Sequence, residues 1–129
     1  MDQGRSLRQH PRVRAGVLIV DDHADFRDAA RTMLEEAGFV IVGEARDAAE
    51  ALASESRLRP AIVLLDIQLP DMDGFAVADR LAVVADPPTV VLISSRGADS
   101  YGDRVAAAPA RGFLTKLDLS GQTLAELTG

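Results

Sequence analysis

Five short apolar runs, each followed by a helical pattern, constrain this chain more than any other feature. The runs are Val17 to Val20, Val40 to Val42, Ala61 to Leu65, Thr89 to Ile93 and Gly112 to Thr115. Between them, apolar residues recur at helical spacing. Phe26, Ala29, Ala30, Met33, Leu34 and Ala37 form one such series, stopping at Gly38. Ala48, Ala49, Leu52 and Ala53 form a second, ended before Pro60, and Phe75, Val77, Ala78, Leu81 and Val84 a third, closed by Pro87 and Pro88. A weak alanine-rich helix is expected over 98–108, stopped by Pro109, and a short last helix over Gly121 to Leu127. Runs that are apolar on both faces and alternate with helices predict a parallel sheet covered on both sides, joined by right-handed crossovers. The expected fold class is therefore α/β: an open, doubly wound sheet with helices on both faces.

The 129 residues suit one domain. A basic and flexible leader is expected over residues 1–15, because Arg5, Arg8, Arg12 and Arg14 stand there against Asp2 alone, with no apolar periodicity. The domain is then expected over 16–129, with no output domain after it. The formal net charge is -6, and with the leader near +3 the remainder carries about -9. An acidic body argues against nucleic acid as a direct partner. No apolar run approaches the ~20 residues that span a bilayer, and the N-terminus has no signal-peptide pattern. A cytoplasmic protein with no membrane partner is expected. The chain has no cysteine, which excludes disulfides and thiolate chemistry.

The runs end in chemistry. Asp21 and Asp22 follow the first, Asp66 the third, Ser94 and Ser95 the fourth, and Lys116 the fifth. In open parallel sheets, ligands bind outside the carboxyl ends of the strands, at the point where the strand order reverses. Strands roughly 5 Å apart would gather these groups into one pocket. Three carboxylates that close repel one another, so one takes up a proton or a cation enters. Magnesium suits such an oxygen site; with no cysteine and neither histidine at ligand spacing, zinc and copper do not. A carboxylate, a divalent cation, a lysine and a hydroxyl are the parts needed to transfer a phosphoryl group onto oxygen. Asp66 is then the nucleophile, Lys116 a fixed positive charge, and the Ser94 hydroxyl a hydrogen-bond donor.

Four motifs, each at a strand end, carry a resemblance: VLIVDD (17–22), LLDIQLPDMDG (64–74), VVLISS (90–95) and GFLTK (112–116). Over roughly residues 16–127 the chain resembles the receiver domain of bacterial two-component response regulators. The resemblance implies a flavodoxin-like, five-stranded sheet of order 2-1-3-4-5. It implies a stand-alone signalling domain rather than an enzyme, phosphorylated on Asp66 by a sensor histidine kinase or phosphotransfer protein. Asp22 and Asp66 would bind Mg2+ directly with the backbone carbonyl of Gln68, and Asp21 through a metal-bound water. Ser94 would be the switch hydroxyl, Phe113 an aromatic switch and Lys116 the phosphate-binding lysine, with Pro70 and Gly74 shaping the adjacent loop. Gln68 and Arg96 occupy positions that tune the lifetime of the phosphoryl group. A downstream protein or a second copy would meet the face of the fourth helix, fifth strand and fifth helix. The family usually has proline after the lysine; here Leu117 follows, which puts the loop geometry in question.

Plainer readings stand beside these. Asp21 and Asp22 can cap the following helix, Ser95 rivals Ser94, and Phe113 can be core alone. His23 is expected at the loop rim facing solvent, and Tyr101 at the surface or an interface. Asp71 and Asp73 read as turn and helix-start residues. A metal-dependent phosphatase or phosphotransferase would use the same carboxylates and lysine. Gln68, two residues after Asp66, cannot serve it as the general acid. A receiver-like scaffold that is never phosphorylated is the third reading, against which the complete acidic set and lysine argue.

Overall fold

The computed structural model describes residues 16–129; the basic leader expected over 1–15 lies outside the described residues. Five strands form one parallel sheet: β1 (Val17–Val20), β2 (Ile41–Ala45), β3 (Ile62–Asp66), β4 (Thr89–Ser94) and β5 (Gly112–Thr115). Their order is β2-β1-β3-β4-β5, the expected flavodoxin-like arrangement. The helices are α1 (Ala24–Glu36), α2 (Ala48–Leu58), α3 (Gly74–Ala82), α4 (Arg104–Ala107) and α5 (Gly121–Thr128).

Side chains alternate across the sheet, and this period of two builds two cores. Leu18, Val20, Val63, Leu65, Val90 and Leu92 point to one face, beneath Ala48 and Ala51 of α2 and Phe75, Val77, Ala78 and Leu81 of α3. Val17, Ile19, Ile62, Leu64, Val91 and Ile93 point to the other, beneath Ala30 and Leu34 of α1 and Leu124 of α5. The three central strands are thus apolar on both faces, as a doubly covered parallel sheet requires. Each buried Leu or Val contributes about 1.5–3 kcal/mol.

The structure corrects the sequence reading in three places. β2 is an edge strand: Ile41 and Ala45 are buried, while Val42 and the preceding Val40 are exposed. Ile41 joins the core beneath α1 and Ala45 the core beneath α2, with a shift in the β1–β2 register between Val17 and Leu18, so β2 feeds each core at one end only. The buried face of α2 is Ala48, Ala51, Ser54 and Glu55, with Ala49 and Ala53 outside. Alanine is too small to decide which face of an alanine-rich helix is buried. The helix expected over 98–108 is two fragments, a 3-10 turn at Ala98–Tyr101 and the four-residue α4. Gly102 breaks it, at φ 60° and ψ -133°, a conformation that glycine adopts without steric cost.

The helices follow the carboxyl ends of parallel strands, so the loops that lead into them share one rim of the sheet. Two aspartates organise that rim. Asp73 caps α3, accepting from the Ala76 N–H at 2.9 Å, as expected. Asp71 reaches across to α2, where its two oxygens accept from the Ala48 and Ala49 N–H groups at 2.8 and 3.0 Å. Gly74 lies so close to β3 that a Cβ there would stand 2.7 Å from the Ile67 Cα. Its own N–H donates to the Ile67 carbonyl at 2.7 Å.

Among the described residues no helix is long and apolar enough to cross a membrane.

Candidate functional site

The strand register brings the chemistry together. Val20 pairs with Leu65, Asp66 with Ile93, and Ser94 with Thr115. Asp21, Asp66, Ser94 and Lys116 therefore stand at successive ends of β1, β3, β4 and β5. Asp21 is fully buried, Asp66 and Ser94 nearly or fully so, and the Lys116 side chain is 18% exposed. The lysine ammonium lies 2.6 Å from Asp21 Oδ2 and 3.6 Å from Asp66 Oδ2. It also stands 4.6 Å above the centre of the Phe26 ring, where a cation is attracted by the ring's negative face. Leu117 is 97% exposed at the start of a 3-10 turn (Lys116–Asp118). The residue in the usual proline's place thus faces solvent while the lysine before it points inward.

Each acid has a local reason for its position. Asp21 donates its N–H to the Ala45 carbonyl at 3.0 Å, and its Oδ1 accepts from the His23 N–H at 2.8 Å, closing the turn into α1. The capping alternative is met in part by that bond, although no side chain caps α1 itself. Asp66 Oδ1 accepts from the Gln68 N–H at 3.1 Å. Burial pushes the Asp66 carboxyl up from 3.8 to about 6; the Gln68 hydrogen bond opposes this, the Asp21 charge adds to it and Lys116 opposes it. One ammonium shared between two buried carboxylates leaves Asp66 short of positive charge.

That shortage shows what could enter. Asp21, Asp22, His23 and Asp66 each offer one ligand atom, all within 4.8 Å of one another. Asp21 Oδ2 is buried and has no hydrogen-bond partner among the described residues beyond its ion pair with Lys116. Three hard carboxylate oxygens facing a partly open rim fit a divalent cation of the magnesium class. His23 is at the rim, its side chain 67% exposed, as expected. Its Nδ1 nonetheless lies 3.1 Å from Asp21 Oδ1 and 3.0 Å from Asp22 Oδ1, so it belongs to the cluster.

The two serine candidates separate. Ser94 is buried and Ser95 exposed. Ser94 Oγ accepts from the Arg96 N–H at 3.0 Å, so Arg96 touches the site through its backbone. Phe113 is half-buried and packs against the core beneath α2 and α3, and Gln68 is exposed beside Asp66.

Three residues near the site were given no part in it by the sequence. Phe26 reads there only as part of a helical series. Arg27 holds the Asp21 carbonyl at 2.6 Å and Glu44 of β2 at 2.9 Å, pinning the β1 end. Tyr101, expected at the surface or an interface, is half-buried and turns inward: its hydroxyl lies 2.5 Å from Ser94 Oγ. No short-range pattern marks these three, because each acts across the fold.

The family model described as "Response regulator receiver domain" matches residues 17–126. A putative transcriptional regulator of Pseudomonas aeruginosa is 39% identical over 100 residues, which cover 78% of this chain and 48% of that protein. A protein-glutamate methylesterase/protein-glutamine glutaminase of Hahella chejuensis is 40% identical over 91 residues, covering 70% of this chain and 25% of that protein. The chain thus spans about half, or a quarter, of the length of these curated relatives. Among solved structures, the signal receiver domain of the putative response regulator NarL from Mycobacterium tuberculosis superimposes with a TM-score of 0.74. It is 32% identical, covering 85% of this chain and 89% of that one.

Proposed function

The chain belongs to the response regulator receiver domain family, and from that membership we propose that it is a phosphorylation switch whose phosphoacceptor is Asp66. A sensor histidine kinase or a phosphotransfer protein presents a phosphohistidine at the rim. The Asp66 carboxylate attacks phosphorus, the P–N bond breaks as the P–O bond forms, and the histidine nitrogen leaves. The Gln68 N–H holds Oδ1 and so orients the carboxylate for that attack. Lys116, within 3.6 Å of Asp66 Oδ2, swings from Asp21 toward the incoming phosphoryl oxygens. Ser94 donates its hydroxyl to the same group. Asp21, Asp22 and Asp66, with the Gln68 carbonyl, would hold Mg2+, which when bound offsets charge on the phosphoryl oxygens. Gln68 and Arg96 at the rim govern how readily water reaches the aspartyl phosphate.

The observation that carries this reading is the position of Lys116, in an ion pair with one buried acid and within reach of a second whose proton affinity is raised. The modified site gains about two negative charges. The face formed by α4, β5 and α5, where the α4 segment is thinly packed, shifts population in response. That face meets a downstream protein or a second copy. Incubation with Mg2+ and acetyl phosphate is expected to add about 80 Da to the wild type and nothing to Asp66→Asn. An adduct that persists in Asp66→Asn refutes the assignment.

A further inference from the structure

Tyr101 occupies a hydroxyl that the proposed chemistry needs. Ser94 has one hydrogen to give and two acceptor positions. One acceptor position is filled by the Arg96 N–H at 3.0 Å. The Tyr101 hydroxyl lies 2.5 Å away, at the short end for O–H···O bonds, on a serine with no exposed surface. If Ser94 is the donor in that pair, its only hydrogen is committed to the phenol and none remains for a phosphoryl oxygen.

The phenol is also mechanically connected. Its ring meets Phe75, the second residue of α3, edge to face at 5.7 Å between centroids. The Arg104 guanidinium of α4 sits 4.3 Å above that same Phe75 ring and pairs with Asp73, the α3 cap, at 2.9 Å. The segment that carries Tyr101 and Arg104 has no buried residue of its own in either helical fragment and is broken at Gly102. Its attachment to the body of the protein therefore depends on these side-chain contacts and on the partly buried Val105 and Ala108.

We infer that Tyr101 is a positioning residue that holds the Ser94 hydroxyl in the unphosphorylated protein, and that it is released, loosening the 98–107 segment, when that hydroxyl turns to a phosphoryl group on Asp66. The inference rests on the reading of Asp66 as phosphoacceptor and adds the element that carries its signal. Competition for one hydrogen makes the coupling reciprocal: whatever releases Tyr101 favours the phosphoryl group, and the phosphoryl group releases Tyr101.

The chain has one tyrosine and no tryptophan, so tyrosine emission reports this side chain alone. Beryllofluoride with Mg2+ serves as the phosphoryl mimic, and its binding is followed separately by fluorine NMR. Acrylamide quenching of Tyr101 is expected to rise when beryllofluoride binds the wild type. In Ser94→Ala it is expected to be raised already, before any addition. Tyr101→Phe keeps the ring and loses only the hydroxyl. It is expected to bind beryllofluoride about 2- to 10-fold more tightly, the range set by one hydrogen bond no longer broken. Unchanged quenching in wild type that demonstrably holds beryllofluoride overturns the inference and leaves the phosphoacceptor reading standing. Weaker binding by Tyr101→Phe also overturns it, since the phenol would then assist the bound state. A wild type that binds no beryllofluoride and gains no mass from acetyl phosphate refutes both.

Discussion

Replacing Asp66 by Asn should make the metal-free protein more stable, and the structure sets the size of the effect. Asp66 is 3% exposed. One oxygen takes the Gln68 N–H; the other faces a lysine that lies closer to Asp21. Burial, with the Asp21 charge, raises its carboxyl from 3.8 to about 6. Two pH units of perturbation correspond to at most about 3 kcal/mol. The folded protein takes up a proton between about pH 4 and pH 6 that the unfolded chain does not hold. This group's contribution is therefore most favourable below the unfolded value of 3.8 and is lost as pH rises through about 6. At pH about 7.5 the charged Asp66 costs its full amount. Asparagine removes that charge and keeps an acceptor for Gln68. Urea unfolding followed by circular dichroism, with EDTA, should show Asp66→Asn more stable by about 1–3 kcal/mol, a midpoint higher by roughly 1 M. The gap should close as pH falls toward about 4, and should narrow when Mg2+ is added, because only the wild type gains the full metal-linked stabilisation. An Asp66→Asn protein no more stable than wild type in EDTA at neutral pH, or a gap indifferent to pH, refutes the electrostatic account of the site.

Lys116→Met leaves the fully buried Asp21 carboxylate without its partner and should destabilise the metal-free protein by about 3 kcal/mol; thermal melts with and without Mg2+ should show the cation recovering part of the loss. Asp71→Ala removes the cap that the LPDMDG loop gives α2 and should lower the melting temperature at neutral pH. The Ala48 and Ala49 N–H groups hold the Asp71 carboxyl below its usual range. Its stabilisation is therefore present above the unfolded carboxylate value and lost in acid, so melts of the two proteins should converge as pH falls.

Much of the site was legible because it follows from local pattern and one topological rule. Apolar runs ending in Asp21, Asp66, Ser94 and Lys116 mark strand ends, and parallel strands share a rim. The rule brings these ends together whatever the helices do in detail. It did not say how far Lys116 leans toward Asp21 rather than Asp66, since that depends on ångström-scale differences in reach. Nor did it separate Ser94 from Ser95, which differ by the side of the strand end on which each falls.

By itself, the sequence determined the class of fold, the apolar strands of a sheet covered on both sides, the helix start at Asp73, and the identity of the acids and lysine at the rim; the capping bond to Ala76 bears out the local signal. Only the tertiary structure decided that Val40 and Val42 at the β2 edge would be exposed, that Ala49 and Ala53 would lie outside, that Asp71 would cap a helix 23 positions away, and that Tyr101 would turn in to Ser94. The physical reason is range. Period, capping and glycine breaks act within a turn or two of backbone, so neighbouring residue types determine them. A hydrogen bond between side chains on different elements exists only once packing has set the distance between those elements, and no local pattern encodes that distance.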